Sequence, residues 1–141
     1  MGTVHKFQGT KGPYRWDGVE VEQYEEGPAS GVTRQILIGQ NEGSANFIIR
    51  YFELPPGASS AFHTHAHEHG VVVLRGRGRV RIGDREQGLE FGDVVYVPPD
   101  EIHQFSNAGD EPFGFTCTIK ALLEINRLSA DALYLGGDIA T

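Results

Sequence analysis

The chain has a single cysteine, a single methionine and a single tryptophan among its 141 residues. One thiol, Cys117, excludes an intramolecular disulfide framework and a cysteine-rich zinc site, and it suits a reducing compartment. Basic residues are in deficit. Twelve Lys and Arg face 19 Asp and Glu, for a formal charge of −7. That balance lacks the basic footprint by which proteins hold nucleic-acid phosphates. No apolar run approaches the ~20 residues of a membrane-spanning helix. The opening Met1 to Lys6 lacks the apolar segment of a secretory signal. The expectation is a cytoplasmic protein with no nucleic-acid partner and no membrane partner. Charged residues make up only 22% and hydrophobic residues 39%, which is too apolar for a disordered chain. The length fits one domain with its own core.

What the chain has instead is glycine, 19 in all, and a series of short β-prone runs between turns. Thr33 to Ile38 ends at Gly39, and Asn46 to Leu54 stops at Pro55-Pro56-Gly57. His69 to Leu74, Arg79 to Ile82, Val94 to Val97, His103 to Ser106 and Phe113 to Lys120 continue the series. Many short strands with close turns and little helix predict an all-β sandwich or barrel. The reading divides the single domain into an N-terminal extension with edge strands (1–30), a barrel (31–120) and a C-terminal tail (121–141). In the tail, Leu122, Ile125, Leu128, Ala132 and Leu135 recur every three or four residues. That spacing fits a short helix capped by Ser129 and ended by Gly136, and it equally fits an irregular apolar tail.

Histidine is unevenly placed. Five of the six lie between residues 63 and 103. Alternate residues of a strand share a face, so His63 and His65 point the same way. The chain then has room to turn before His69 opens an apolar strand, and His103 opens another after Pro98-Pro99. Four imidazoles converging from three strands make a metal site, because a metal satisfies lone pairs that burial would otherwise leave costly. His67 and Glu68 lie between these ligands. They read as solvent-facing residues at the barrel mouth or as a proton shuttle beside the metal.

At these residues the sequence resembles the cupin family. Gly57, His63, His65, His69 and Gly76 match a first motif, G-x5-H-x-H-x3-E-x6-G, with His69 in the glutamate position. Gly92, Pro98, Asp100, His103 and Asn107 match a second, G-x5-P-x-G-x2-H-x3-N. Asp100 stands where that motif has glycine, and Asp tolerates a left-handed turn better than most residues. The resemblance implies an all-β jelly-roll barrel, a double-stranded β-helix, and places one divalent metal ion per chain on His63, His65, His69 and His103. The four-histidine set is similar to that of small bacterial manganese cupins. Ligand softness alone suits Zn, Cu, Fe or Ni, whereas the resemblance keeps Mn in play, so Mn or Fe is favoured.

Phe115 and Cys117 alternate on one strand face and read either as pocket residues or as ordinary core. Arg50 interrupts an apolar strand and points either outward or into the cavity, where it would bind a carboxylate or enolate. Phe105 shares the face of His103 and lines the pocket in this reading. Arg75, Arg77, Arg79 and Arg81 alternate and read as a solvated sheet face. The leading expectation is an oxygenase or dioxygenase acting on a small organic substrate. The alternatives are Lewis-acid chemistry, as in an isomerase, lyase, decarboxylase or polyketide cyclase, and a ligand-binding or sensor barrel. A homodimer is expected, since pairing protects sheet edges.

Overall fold

Alternation along the strands decides which side chains form the core. A computed structural model describes residues 2–9 and 11–121. It holds nine strands: β1 (Glu22–Gln23), β2 (Thr33–Ile38), β3 (Phe47–Leu54), β4 (His69–Arg75), β5 (Gly78–Ile82), β6 (Arg85–Leu89), β7 (Val94–Val97), β8 (His103–Ser106) and β9 (Phe113–Lys120). They form a six-stranded sheet, β1-β2-β3-β9-β4-β7, and a three-stranded sheet, β6-β5-β8. Every named pairing is antiparallel. The expected all-β jelly roll is the fold observed.

Strand β3 shows how the core is built. Ile48, Arg50, Phe52 and Leu54 sit opposite Ile119, Cys117, Phe115 and Phe113 of β9, and all eight are buried. On the next strand, Val71 and Val73 face Cys117 and Phe115. These side chains share the inner face, because the side-chain period of a strand is two.

The opposite face of β3 is buried at Tyr51 and Glu53. The Tyr51 ring lies 6.0 Å from Tyr14 and 5.0 Å from Trp16, and Phe7 packs on both N-terminal rings. The Tyr51 hydroxyl donates to Glu53 at 2.8 Å, and Arg75 pairs with the same carboxylate at 3.1 Å. His5, the one histidine away from the cluster, bonds Glu42 at 2.9 Å and helps fasten this segment. Arg75 therefore does not belong to the solvated row expected of it. The turn at Gly76-Arg77 breaks the parity, and only Arg77, Arg79 and Arg81 are exposed.

Turn chemistry fixes how the two sheets meet. Asp100 has φ of 65°, the only positive value at a non-glycine position among the described residues, as its place in the second motif anticipates. Its N–H donates to the His65 carbonyl at 2.6 Å, tying the β7–β8 turn to the histidine loop. Asn107 ends β8 and is buried. Its amide donates to Leu54 O at 2.9 Å and Glu111 O at 2.7 Å, and its oxygen accepts from Gly109 N at 2.9 Å. Asn107→Ala strands these groups and is expected to lower the unfolding free energy by about 3 kcal/mol, read by urea denaturation.

The tail helix read at Leu122 to Gly136 lies outside the described residues. Among the described residues no helix is long and apolar enough to cross a membrane.

Candidate metal centre

Two of the histidines are placed by strand starts. His69 is the first residue of β4 and His103 the first of β8, and both are fully buried. The loop before β4 carries the rest. It is stitched to β8 by Ser60 N donating to Phe105 O at 2.8 Å and by a reciprocal backbone bridge between His63 and His103, at 3.1 and 3.0 Å.

These constraints bring His65, His69 and His103 together, with one ligand nitrogen from each lying within 4.8 Å of the others. The ring centroids are 5.2 Å apart for His65–His69, 5.5 Å for His65–His103 and 4.9 Å for His69–His103. Each ring shows which nitrogen is available. His103 donates Nδ1–H to the Glu101 carbonyl at 2.9 Å, so in the neutral ring the lone pair is on Nε2. The His69 Nδ1 lies 3.5 Å from Cys117 Sγ, while its Nε2 is buried with no hydrogen-bond partner. The His65 Nε2 is buried and unbonded as well. Buried unbonded imidazole nitrogens facing one another are costly unless something meets their lone pairs. A divalent cation does so, and the donor set fits one.

His63 stands apart. Its side chain is exposed and its ring centroid is 5.9 Å from His65. The ring closer to the cluster is His67, at 5.0 Å from His65 and 4.8 Å from His69, half-buried rather than turned to solvent. Glu68 points outward, where it accepts from the Tyr96 hydroxyl at 2.6 Å.

Electrostatics keep these rings neutral. Burial pushes His65 down to about 3 and His67 down to about 4 from the ordinary 6.5, and the positive charge of Arg50 adds to the effect on both. His69 is lowered by the same causes, burial first. The folded protein thus binds fewer protons than the unfolded chain over the interval from about 6.5 down to about 3. Stability from these groups is complete above that interval and declines as pH falls through it. The melting temperature of the metal-free protein should therefore drop steadily between about pH 6.5 and pH 4, and His67→Gln should make that slope shallower. A pH series of thermal melts reads both.

The remaining pocket residues are all inward and fully buried. Arg50 donates to Cys117 Sγ at 3.3 Å and lies over the Phe52 ring at 5.1 Å. Phe105 and Phe115 stack at 4.6 Å, with Phe105 against the His103 ring at 6.5 Å. Of the two orientations left open for Arg50, the inward one is observed, and Cys117 is inward as well, 3.5 Å from His69 Nδ1. His67 shares the parity of the other histidines, but parity is unreliable across the turn that carries it, so the sequence left it either facing solvent or acting as a proton shuttle. The one available signal was its position in an unbroken alternation of histidines from 63 to 69.

Two antiparallel sheets closing around convergent neutral imidazoles define a jelly-roll barrel of the histidine-site class. The chain belongs to the cupin family: residues 50–119 match the model of the cupin domain. It is 36% identical over 129 residues to the 1-methylthio-D-xylulose 5-phosphate methylsulfurylase of Rhodospirillum rubrum, covering 89% of this chain and 81% of that protein. The crystal structure of a cupin-2 domain protein of the same organism aligns with a TM-score of 0.72 at 34% identity, over 96% of this chain and 99% of that one. The polyketide cyclase RemF of Streptomyces resistomycificus aligns with a TM-score of 0.67 at 27% identity, over 73% and 74%.

Proposed function

We propose that this chain is a metal-dependent enzyme that activates the carbonyl of a small oxygenated substrate, with a phosphorylated ketose as the favoured class. The observation that carries the reading is the convergence of His65, His69 and His103 with buried, unmet Nε2 atoms on His65 and His69. His63 completes the ligand set. Partners across an antiparallel bridge project to the same side, so its bridge to His103 starts its side chain toward the cluster. A rotation about its side-chain bonds brings the ring inward.

A divalent ion on these neutral ligands keeps its full charge and supplies a Lewis acid that polarises a carbonyl oxygen. Mn and Fe are the favoured ions, with Zn, Ni and Cu as competitors. The protein's own groups do the rest. Arg50 presents guanidinium N–H groups to negative charge that develops on the substrate oxygen. His67, neutral and half-buried beside the cluster, accepts a proton from the carbon next to the carbonyl. Phe105 and Phe115 form a dry floor that keeps water from that carbon. The substrate named for the 36%-identical relative, a phosphorylated ketose, supports the class.

An oxygenase is the second reading. The same dry aromatic floor favours it, since an apolar wall admits dioxygen and protects an oxidisable substrate.

One experiment separates the readings. The protein is loaded in turn with each of the five ions, and ketose and aldose phosphates are incubated with it in heavy water. Proton NMR reads exchange at the carbon beside the carbonyl, while an electrode reads oxygen. Metal-dependent exchange or bond cleavage without oxygen uptake supports the carbonyl reading. Substrate-dependent oxygen uptake favours the oxygenase. Neither response with any ion sinks both and leaves a ligand-binding barrel.

A further inference from the structure

Each ligand imidazole needs a second partner to fix its ring and its tautomer. For His103 the Glu101 carbonyl is that partner, and a carbonyl can only accept. For His69 the group facing Nδ1 is a sulfur, Cys117 Sγ at 3.5 Å. Sulfur can act in either sense. If the thiol donates to Nδ1, a neutral His69 carries its proton on Nε2 and is closed to a metal. If the sulfur accepts from Nδ1–H, Nε2 is open.

Arg50 bears on that choice. A guanidinium has only donors, and its Nη2 stands 3.3 Å from the same sulfur. The sulfur is therefore an acceptor at this contact. We propose that Cys117 positions His69 for the ion. Its sulfur accepts the His69 Nδ1–H while Arg50 holds the sulfur from the other side, so that Nε2 faces the metal. The inference rests on the metal reading above and goes beyond it by assigning Cys117 a role toward one ligand.

Backbone register builds this arrangement. Arg50 and Cys117 are direct partners across β3 and β9, and Cys117 is the direct partner of Val71 on β4. His69 lies two residues from Val71 on the same inner face, so the sulfur sits diagonally beside the ring. All three side chains are fully buried, out of reach of bulk solvent. His69 and His103 consequently differ as ligands, because a sulfur backs one ring and a carbonyl the other.

The test compares Cys117→Ser with Cys117→Ala in the full chain. The two lose similar volume, so packing effects cancel between them, and only serine keeps an acceptor. Metal-free protein is titrated with Co(II), and Zn(II) is measured by competition. Serine should bind within about threefold of wild type. Alanine should bind roughly 10- to 100-fold more weakly, with shifted cobalt absorption bands. Equal affinities and identical bands for the two variants overturn the proposal. Nitrogen-15 NMR of zinc-loaded wild type decides independently of whether either variant folds. A proton on Nδ1 of His69 supports the assignment, and its absence there overturns it. Wild type that takes up neither ion sinks the metal reading, and this inference with it.

Discussion

His69→Ala should reduce bound metal from about one ion per chain to background, measured by elemental mass spectrometry on tag-free protein. His103→Ala should do the same. Both residues open strands whose backbone is fixed by sheet pairing, so no neighbouring ring can slide into the lost position. Both also make a defined contact through Nδ1, and the Nε2 of His69 is buried. His63→Ala and His67→Ala separate the two outer rings. His63 starts from the bridge to His103, so its removal should weaken binding by at least tenfold. His67 belongs to the loop, and its loss should leave stoichiometry intact. The reverse pattern would transfer the fourth ligand to His67.

Gly76→Ala should be among the most damaging small substitutions in the barrel away from the histidines. Gly76 has φ of 66°, a region in which an added side chain is strained. A Cβ built there would run into the Pro112 carbonyl oxygen, a backbone atom with no freedom to move aside. Conformational strain and overpacking act together, for about 4 kcal/mol. The melting temperature should fall by roughly 10 °C or more. Gly57→Ala is the control. It shares a positive φ of 84° but has open space around it, so it should cost about 1–2 kcal/mol from strain alone. Similar losses at the two positions would mean that the Pro112 contact does not matter.

The final glycine of the first motif is thus legible in the sequence for a reason the structure supplies. The same holds at Asp100, where the motif's glycine position is a left-handed turn that aspartate adopts. Strand alternation put Phe115 and Cys117 on one face, and in the observed β9 that face, which Ile119 shares, is the inner one.

Other features were out of reach for physical reasons. Alternation describes one face at a time, and it gave no hint that Tyr14 and Trp16 would cover Tyr51 on the outer face of β3. Parity also lapses in the loop between His63 and His69. That is why the sequence left His67 either at the mouth or as a proton shuttle, whereas the rings observed nearest His69 and His65 include His67. Whether Arg50 pointed inward could not be read from a strand whose residues from Arg50 to Leu54 are buried on both faces.

The pairing of Arg50 with Cys117 joins residues 67 positions apart, on the third and the last of the nine strands. Contacts of such long range form slowly, because chain entropy must be lost before they contribute. During synthesis the loop of histidines leaves the ribosome well before β9 exists. A nascent chain therefore displays its imidazoles without the scaffold that arranges them, and any ion it meets then is held by loose, exchangeable contacts. The imidazoles are brought together only after β9 has closed the barrel, so a metal site of the proposed kind exists only in the finished fold.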